Sequence, residues 1–132
     1  MNLQFLENAI IRLDEGLARY HQDTNDTQIR DGLIQRFEFT YDLGYKTLKR
    51  YLESVSATPS EYDSISFADL IRSANEQGLL LGDWPKWRQY RHLRNQTSHT
   101  YDETIALSVV KHIPEFLQEI VFLQNKLREN LT

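Results

Sequence analysis

The chain contains no cysteine, so neither a disulfide bond nor a thiolate metal site can form. It has no glycine-rich phosphate-binding loop, and no uncharged apolar run approaches the roughly 20 residues that a membrane-spanning helix needs. The first residues have no basic segment and include Glu7, so they do not resemble a signal peptide. These absences lead us to expect a cytoplasmic protein with no membrane segment.

The chain also lacks the excess of positive charge that is usual in a dedicated nucleic-acid binder, because its formal net charge is -4. Any contact with RNA must therefore rest on a local basic patch. The hydrophobic content of 40% and charged content of 26% are ordinary for a globular protein. A chain of 132 residues is long enough to bury a core, and we expect one domain spanning residues 1–132.

Apolar residues recur every three or four positions along most of the chain, which is the pattern of amphipathic helices. No alternating strand pattern competes with it. The fold class that this pattern predicts is an all-α, up-and-down four-helix bundle with one additional short helix. The predicted helices cover roughly residues 2–21, 26–55 and 103–128, with a short helix between Ser66 and Gly78 and another beginning at Asp83.

Three local features add to this prediction. Gly44 lies on the apolar stripe of the second helix, where an exposed glycine would cost about 1 kcal/mol relative to alanine. We expect close packing of another helix to compensate at this position. Residues 54–65 contain a proline, four serines and no apolar period, so they are predicted to form a loop. The leucine run at residues 79–81 is expected to pack beneath the bundle.

Residues 83–102 carry both tryptophans and two of the four histidines, together with several basic side chains. Arg94 offers a permanently charged fork of donors for phosphate, and His99 can exchange protons near neutral pH. This pair suits metal-independent cleavage of RNA, with His99 moving a proton and Arg94 stabilising charge on the phosphorane. We therefore expect neither a metal ion nor a cofactor.

The spacing of this pair imposes a geometric condition. On a continuous helix, five positions correspond to about 500° of rotation, so Arg94 and His99 would point roughly 140° apart. They could converge if the helix ends between them, because short polar residues such as Asn95 and Ser98 compete for backbone hydrogen bonds. They could also meet across a two-fold dimer that places the pairs of two chains around one cleft.

Other side chains near this pair have less certain roles. Arg88 and Arg91 could hold a nucleic-acid backbone, while Trp87 could either stack on a base or pack in the core. Glu38 and Asp42 are four positions apart on the second predicted helix. No histidine accompanies them there, so we do not expect a metal site.

The motif Arg94-x4-His99-x-Tyr101 resembles the toxin-type signature of the HEPN superfamily. Residues 34–53 are similar to the second helix of its branch of nucleotidyltransferase substrate-binding proteins. Tyr45 departs from that resemblance, because tryptophan is expected at its position. The two stretches together extend the resemblance over most of the chain.

This resemblance implies an all-α homodimer that acts with a minimal nucleotidyltransferase encoded as a separate chain. In one implied function, the protein is the ribonuclease toxin of a toxin–antitoxin pair, with Arg94 and His99 catalytic. The partner would silence it by transferring AMP to Tyr101. In the alternative function, the protein is a non-catalytic subunit that binds a nucleotide substrate for the partner.

A third alternative is a structural interaction module whose motif residues build the dimer interface. Asn95, Ser98 and Asp102 match the local motif of the family, and we predict them as supporting residues in RNA or nucleotide contact. The RNA target is left open by the resemblance.

Overall fold

The computed structural model describes residues 1–131, and this part of the chain contains helices and turns but no strand. The predicted all-α bundle with one additional short helix is confirmed. Among the described residues, no helix combines the length and the apolar character needed to cross a membrane. The helices are α1 (Gln4–Gln22), α2 (Thr27–Val55), α3 (Phe67–Glu76), α4 (Trp84–Asn95) and α5 (Glu103–Asn130), with 3-10 turns at Pro59–Tyr62 and Thr97–His99.

The three long helices form the body of the bundle. α1 packs along α2, and both contact α5. The shorter α3 and α4 contact each other and close the bundle against α2 and, through α4, against α5. Each long helix contributes one apolar stripe to a common core, as the spacing of the apolar residues predicts.

An aromatic cluster lies at the centre of this core. The Phe116 ring meets Phe37 edge-on with centroids 4.9 Å apart, and it meets Tyr90 at 5.3 Å. Trp87 packs edge-on against Tyr90 at 5.4 Å. Rings in such tilted and edge-on arrangements add to the free energy gained by burying them. The cluster therefore joins α2, α4 and α5.

Side-chain caps set where several helices begin. The Asp26 carboxylate accepts the backbone N–H of Gln28 and of Ile29 at the start of α2. Ser66 Oγ accepts the N–H of Asp69 at the start of α3. These bonds satisfy amide groups that have no partner within the helix. They explain why the predicted and observed starts of both helices nearly coincide.

The close packing predicted at Gly44 is confirmed. A Cβ atom at this position would lie 2.5 Å from Cδ1 of Ile120 on α5. A Cβ at this position would require Ile120 Cδ1 to shift, so glycine lets α2 and α5 approach this closely without such a movement.

The prediction for the leucine run was wrong at its last residue. Leu79 and Leu80 are buried, but the Leu81 side chain is 60% exposed. The backbone explains the difference. The N–H groups of Leu81 and Gly82 both donate to the buried carboxylate of Glu119, each at 2.7 Å. The chain is thus held against α5 through its backbone at Leu81, while the side chain turns outward.

The predicted loop at residues 54–65 contains one ordered element that its composition did not indicate. The 3-10 turn at Pro59–Tyr62 buries the Tyr62 ring. The Tyr62 hydroxyl lies 2.9 Å from Ser73 Oγ on α3. The loop is therefore tied to α3 and fixes the position of the residues that follow it.

Candidate active site

The helix that carries Arg94 ends before His99, as one of the two predicted arrangements requires. α4 ends at Asn95, and the chain then forms the 3-10 turn Thr97–His99. The Thr97 hydroxyl donates to the backbone carbonyl of Arg94 at 2.8 Å and accepts from Arg94 Nη1 at 3.3 Å. Thr97 thus supports both the helix end and the arginine side chain.

Arg94 is held by two carboxylates of α2. Its Nε and Nη2 atoms donate to the two oxygens of Asp42 at 2.9 and 3.0 Å, which is a bidentate pair. Glu38, one helical turn earlier, lies 3.5 Å from Nη2. The hydrogen bonds that Arg94 donates to Asp42, with the charges of Asp42 and Glu38, raise the pKa of Arg94. Because 28% of the side chain is exposed, a ligand can still reach the guanidinium.

This pairing gives Glu38 and Asp42 a role that sequence reasoning missed. The two residues are one turn apart and therefore share a face of α2. The sequence offers them no histidine partner, whereas the structure pairs them with the motif arginine, which lies 52 positions from Asp42 in the chain. The sequence does contain a signal for this contact, because two carboxylates share one helical face in a chain that also has a candidate catalytic arginine.

His99 and Tyr101 form the exposed half of the motif. His99 Nδ1 lies 3.4 Å from the Tyr101 hydroxyl, and the two rings are nearly perpendicular. The Tyr101 side chain is 86% exposed, so a group attached to its hydroxyl would displace no packed residue. Both residues are open to solvent and to a large ligand.

The beginning of α5 fixes this exposed pair. The Asp102 carboxylate accepts the N–H of Ile105 and caps the helix, so its observed role is structural. Glu103 is bound at 2.8 Å by Arg30, a buried arginine near the start of α2. The segment that carries His99 is therefore anchored to α2 as well as to α4.

The two catalytic candidates are not in contact. Among residues 1–131, no hydrogen bond joins Arg94 to His99, because Arg94 turns toward α2 while His99 faces solvent. The helix therefore ends between Arg94 and His99, but the two side chains do not converge within one chain. An arrangement in which residues from two chains complete the site stays a prediction.

A cleft of about 480 Å³ opens beside Arg94, between α2, α4 and the beginning of α3. Burial raises the pKa of Tyr41 on its wall, so this hydroxyl is neutral at physiological pH. Within the described part of the chain, no three His, Asp or Glu side chains gather as a metal site would require. The residues that line the cleft are Tyr41, Asp42, Tyr45, Ile65, Phe67, Arg91, Arg94 and Asn95.

The predicted supporting residues divide into two groups. Arg88, Arg91, Asn95 and Ser98 are exposed and available to a ligand. Of the two roles predicted for Trp87, the structure shows packing in the core, because the residue is 1% exposed and belongs to the aromatic cluster, so its predicted RNA or nucleotide contact is not accessible. Its indole N–H approaches the Glu119 carboxylate without reaching hydrogen-bond geometry.

The fold and this site define a class of protein. The chain belongs to the family described as nucleotidyltransferase substrate binding protein like, whose model matches residues 1–129, and so to the HEPN superfamily. The predicted family membership is confirmed.

Particular relatives agree with this assignment. The chain is 36% identical over 137 residues to the probable ribonuclease HepT of Haemophilus influenzae strain Rd, covering 98% of this chain and 93% of the relative. A solved Haemophilus influenzae structure, described as the substrate binding domain of a nucleotidyltransferase, aligns with a TM-score of 0.89 at 36% identity and covers 96% of this chain and 99% of that one. A crystal structure from Thermus thermophilus aligns with a TM-score of 0.66 at 28% identity, covering 93% and 98% of the two chains.

Proposed function

We propose that this chain is a metal-independent ribonuclease toxin whose partner, a minimal nucleotidyltransferase, silences it by transferring AMP to Tyr101. The observation that carries the proposal is the pairing of exposed His99 with exposed Tyr101 at 3.4 Å. Arg94, fixed by Asp42 beside an open cleft, supplies the cation. The name of the Haemophilus influenzae relative, probable ribonuclease HepT, supports the same activity.

The cleavage would proceed by attack of a ribose 2′-hydroxyl on the adjacent phosphorus. His99 accepts the hydroxyl proton as the O2′–P bond forms and the P–O5′ bond breaks. The leaving O5′ takes a proton from a protonated imidazole or from water. Arg94 stabilises the negative charge that grows on the phosphorane oxygens. The products are a 2′,3′-cyclic phosphate and a 5′-hydroxyl end.

A homodimer would complete this site. In one chain, His99 faces solvent while Arg94 turns toward α2. A two-fold axis near the 3-10 turn Thr97–His99 would place the His99 and Arg94 of a second chain around the same RNA strand. One imidazole could then act as base while the other, in its protonated form, protonates the leaving oxygen.

Silencing would act directly on this arrangement. In the partner's active site, the Tyr101 oxygen attacks the α-phosphorus of ATP, pyrophosphate leaves, and the phenolic proton passes to the partner or to water. The adenylyl group adds bulk and negative charge beside His99, and both oppose the entry of RNA phosphate. Mass spectrometry after co-expression with the partner should find one AMP group on Tyr101. Relief of toxicity with an unmodified Tyr101 would contradict this mechanism.

Growth in bacteria tests the ribonuclease part. Expression of the chain alone should arrest growth and degrade RNA, and His99→Ala should abolish both effects. His92→Ala is the matched control, because His92 is also exposed but lies on α4 outside the motif. Normal growth with intact RNA and well-folded protein would refute the proposal.

A non-catalytic nucleotide-binding subunit is the second candidate. The cleft beside Arg94 favours it, as does the description of the related Haemophilus influenzae structure as a substrate binding domain. In that case the partner's activity on a nucleotide should fall when this chain is removed. The purified chain should then leave RNA intact.

A further inference from the structure

Part of the cleft wall is an aromatic surface that packs against the outside of the core. The Tyr45 and Phe67 rings stack with centroids 5.8 Å apart and planes at 29°. The centroid of the Trp84 ring lies 5.5 Å from that of Phe67, and the two planes are tilted by 59°. All three side chains are only partly buried, unlike Trp87 and Tyr90. A partly open aromatic stack beside basic side chains is the composition of surfaces that bind single-stranded nucleic acid.

Arg91 lies between this aromatic surface and Arg94. Its Cζ atom is 5.0 Å from the centre of the Phe67 ring, which is a cation–π contact. The Arg91 side chain is exposed, and cation–π contacts at exposed sites are weak. A phosphate group can therefore draw this guanidinium away from the ring at small cost. The same movement would uncover the face of Phe67.

We infer that this cleft binds one nucleotide of a single-stranded RNA, next to the phosphate that is cleaved. The base stacks on the Tyr45–Phe67 surface, and its phosphate is held by Arg91. The volume of about 480 Å³ falls within the range of small-molecule pockets. Because stacking recognises the π-face that all bases share, this subsite discriminates weakly between bases. Only the position relative to the cleaved phosphate rests on the proposed function.

A non-cleavable probe tests the subsite without requiring catalysis. The probe is a short 2′-O-methyl oligoadenylate with a fluorescent end label, and the full-length protein is titrated into it while anisotropy is followed. Arg91→Ala should weaken binding about tenfold. It should also lower by about one the number of counterions released on binding, which is measured from the salt dependence of the affinity. Phe67→Leu should also weaken binding about tenfold but leave the salt dependence unchanged, because it removes stacking and no charge.

A matched control removes the same charge elsewhere. Arg128 lies near the end of α5, where it pairs with Glu7 of α1, and it does not line the cleft. Arg128→Ala should therefore bind the probe within twofold of the unaltered protein. Unlabelled oligoadenylate should also quench tryptophan fluorescence through Trp84, which adjoins the cleft, and Trp84→Phe should remove that quenching.

Arg91→Glu, at an exposed position, keeps the test decisive if Phe67→Leu disturbs folding. Unchanged binding by Arg91→Ala and Arg91→Glu would overturn the inference. If these variants lose probe binding but the unaltered chain cleaves no RNA, the proposed function fails and the subsite stands. If the chain cleaves RNA and Arg91→Glu alters neither binding nor cleavage, the subsite fails and the proposed function stands.

Discussion

Gly44→Ala tests whether the contact between α2 and α5 depends on the absence of a side chain. At an exposed helical position, this change would stabilise the protein by about 0.8–1.0 kcal/mol, because alanine is the better helix former. Here the added Cβ would lie 2.5 Å from Ile120 Cδ1. The Ile120 side chain is 0% exposed, so its Cδ1 atom would have to shift within the packed core.

The net effect follows from two opposing contributions. Overpacking of a well-filled core costs about 1–3 kcal/mol. After the gain in helix propensity is subtracted, we expect Gly44→Ala to lower the free energy of unfolding by about 0–2 kcal/mol. Gly32→Ala is the matched control in the same helix, because nothing lies within 4 Å of its added Cβ. That variant should gain about 0.5–1 kcal/mol.

Urea unfolding followed by circular dichroism, at one fixed protein concentration, measures both changes. Ile120→Val removes the atom that Cβ would meet, and alone it should cost about 0.5–1.5 kcal/mol. The double variant Gly44→Ala/Ile120→Val should be no less stable than Ile120→Val alone, because the added methyl group fills the vacated space. The reasoning is refuted if Gly44→Ala stabilises the protein as much as Gly32→Ala does.

Two further residues lead to predictions. Glu119→Ala leaves the N–H groups of Leu81 and Gly82 without an acceptor and should lower the free energy of unfolding in urea by about 2–4 kcal/mol. Burial raises the pKa of Glu119. Protonation of this carboxyl therefore stabilises the folded protein fully at pH values below the ordinary glutamate pKa of 4.5, and the stabilisation is lost as the pH rises through the raised pKa. Glu119→Gln should remove that part of the pH dependence of the urea midpoint, and an unchanged profile would contradict it. Asp42→Asn should lower kcat for RNA cleavage about 100-fold, because Arg94 is then misplaced. KM and the circular dichroism spectrum should stay nearly unchanged. A loss of stability large enough to account for the loss of kcat would instead indicate a purely structural role for Asp42.

Local pattern predicted the helices well. The predicted range 26–55 and the observed helix Thr27–Val55 differ by one residue at one end. This agreement has a physical basis, since apolar periodicity and an N-terminal cap are properties of neighbouring residues. The same kind of pattern holds in α4. Trp87, Tyr90 and Leu93 step by three positions, and this spacing indicates the buried stripe on which Trp87 lies.

The site depended on contacts that no local pattern contains. Arg94 meets Asp42 across 52 positions of sequence, and Glu119 meets Leu81 across 38. Both contacts are set by how whole helices pack. The helix break after Arg94 could be predicted because it depends on nearby polar residues. The direction of the Arg94 side chain could not, because it depends on carboxylates of another helix.

Cleavage of a defined RNA by the purified chain in excess EDTA tests the central claim most directly. We predict fragments that end in a 2′,3′-cyclic phosphate and a 5′-hydroxyl, produced by the unaltered protein and by His92→Ala but not by His99→Ala. The His99→Ala protein should keep the helical content and oligomeric state of the unaltered chain. RNA left intact by the folded, unmodified protein, or equal cleavage by His99→Ala, would contradict the assignment of a ribonuclease.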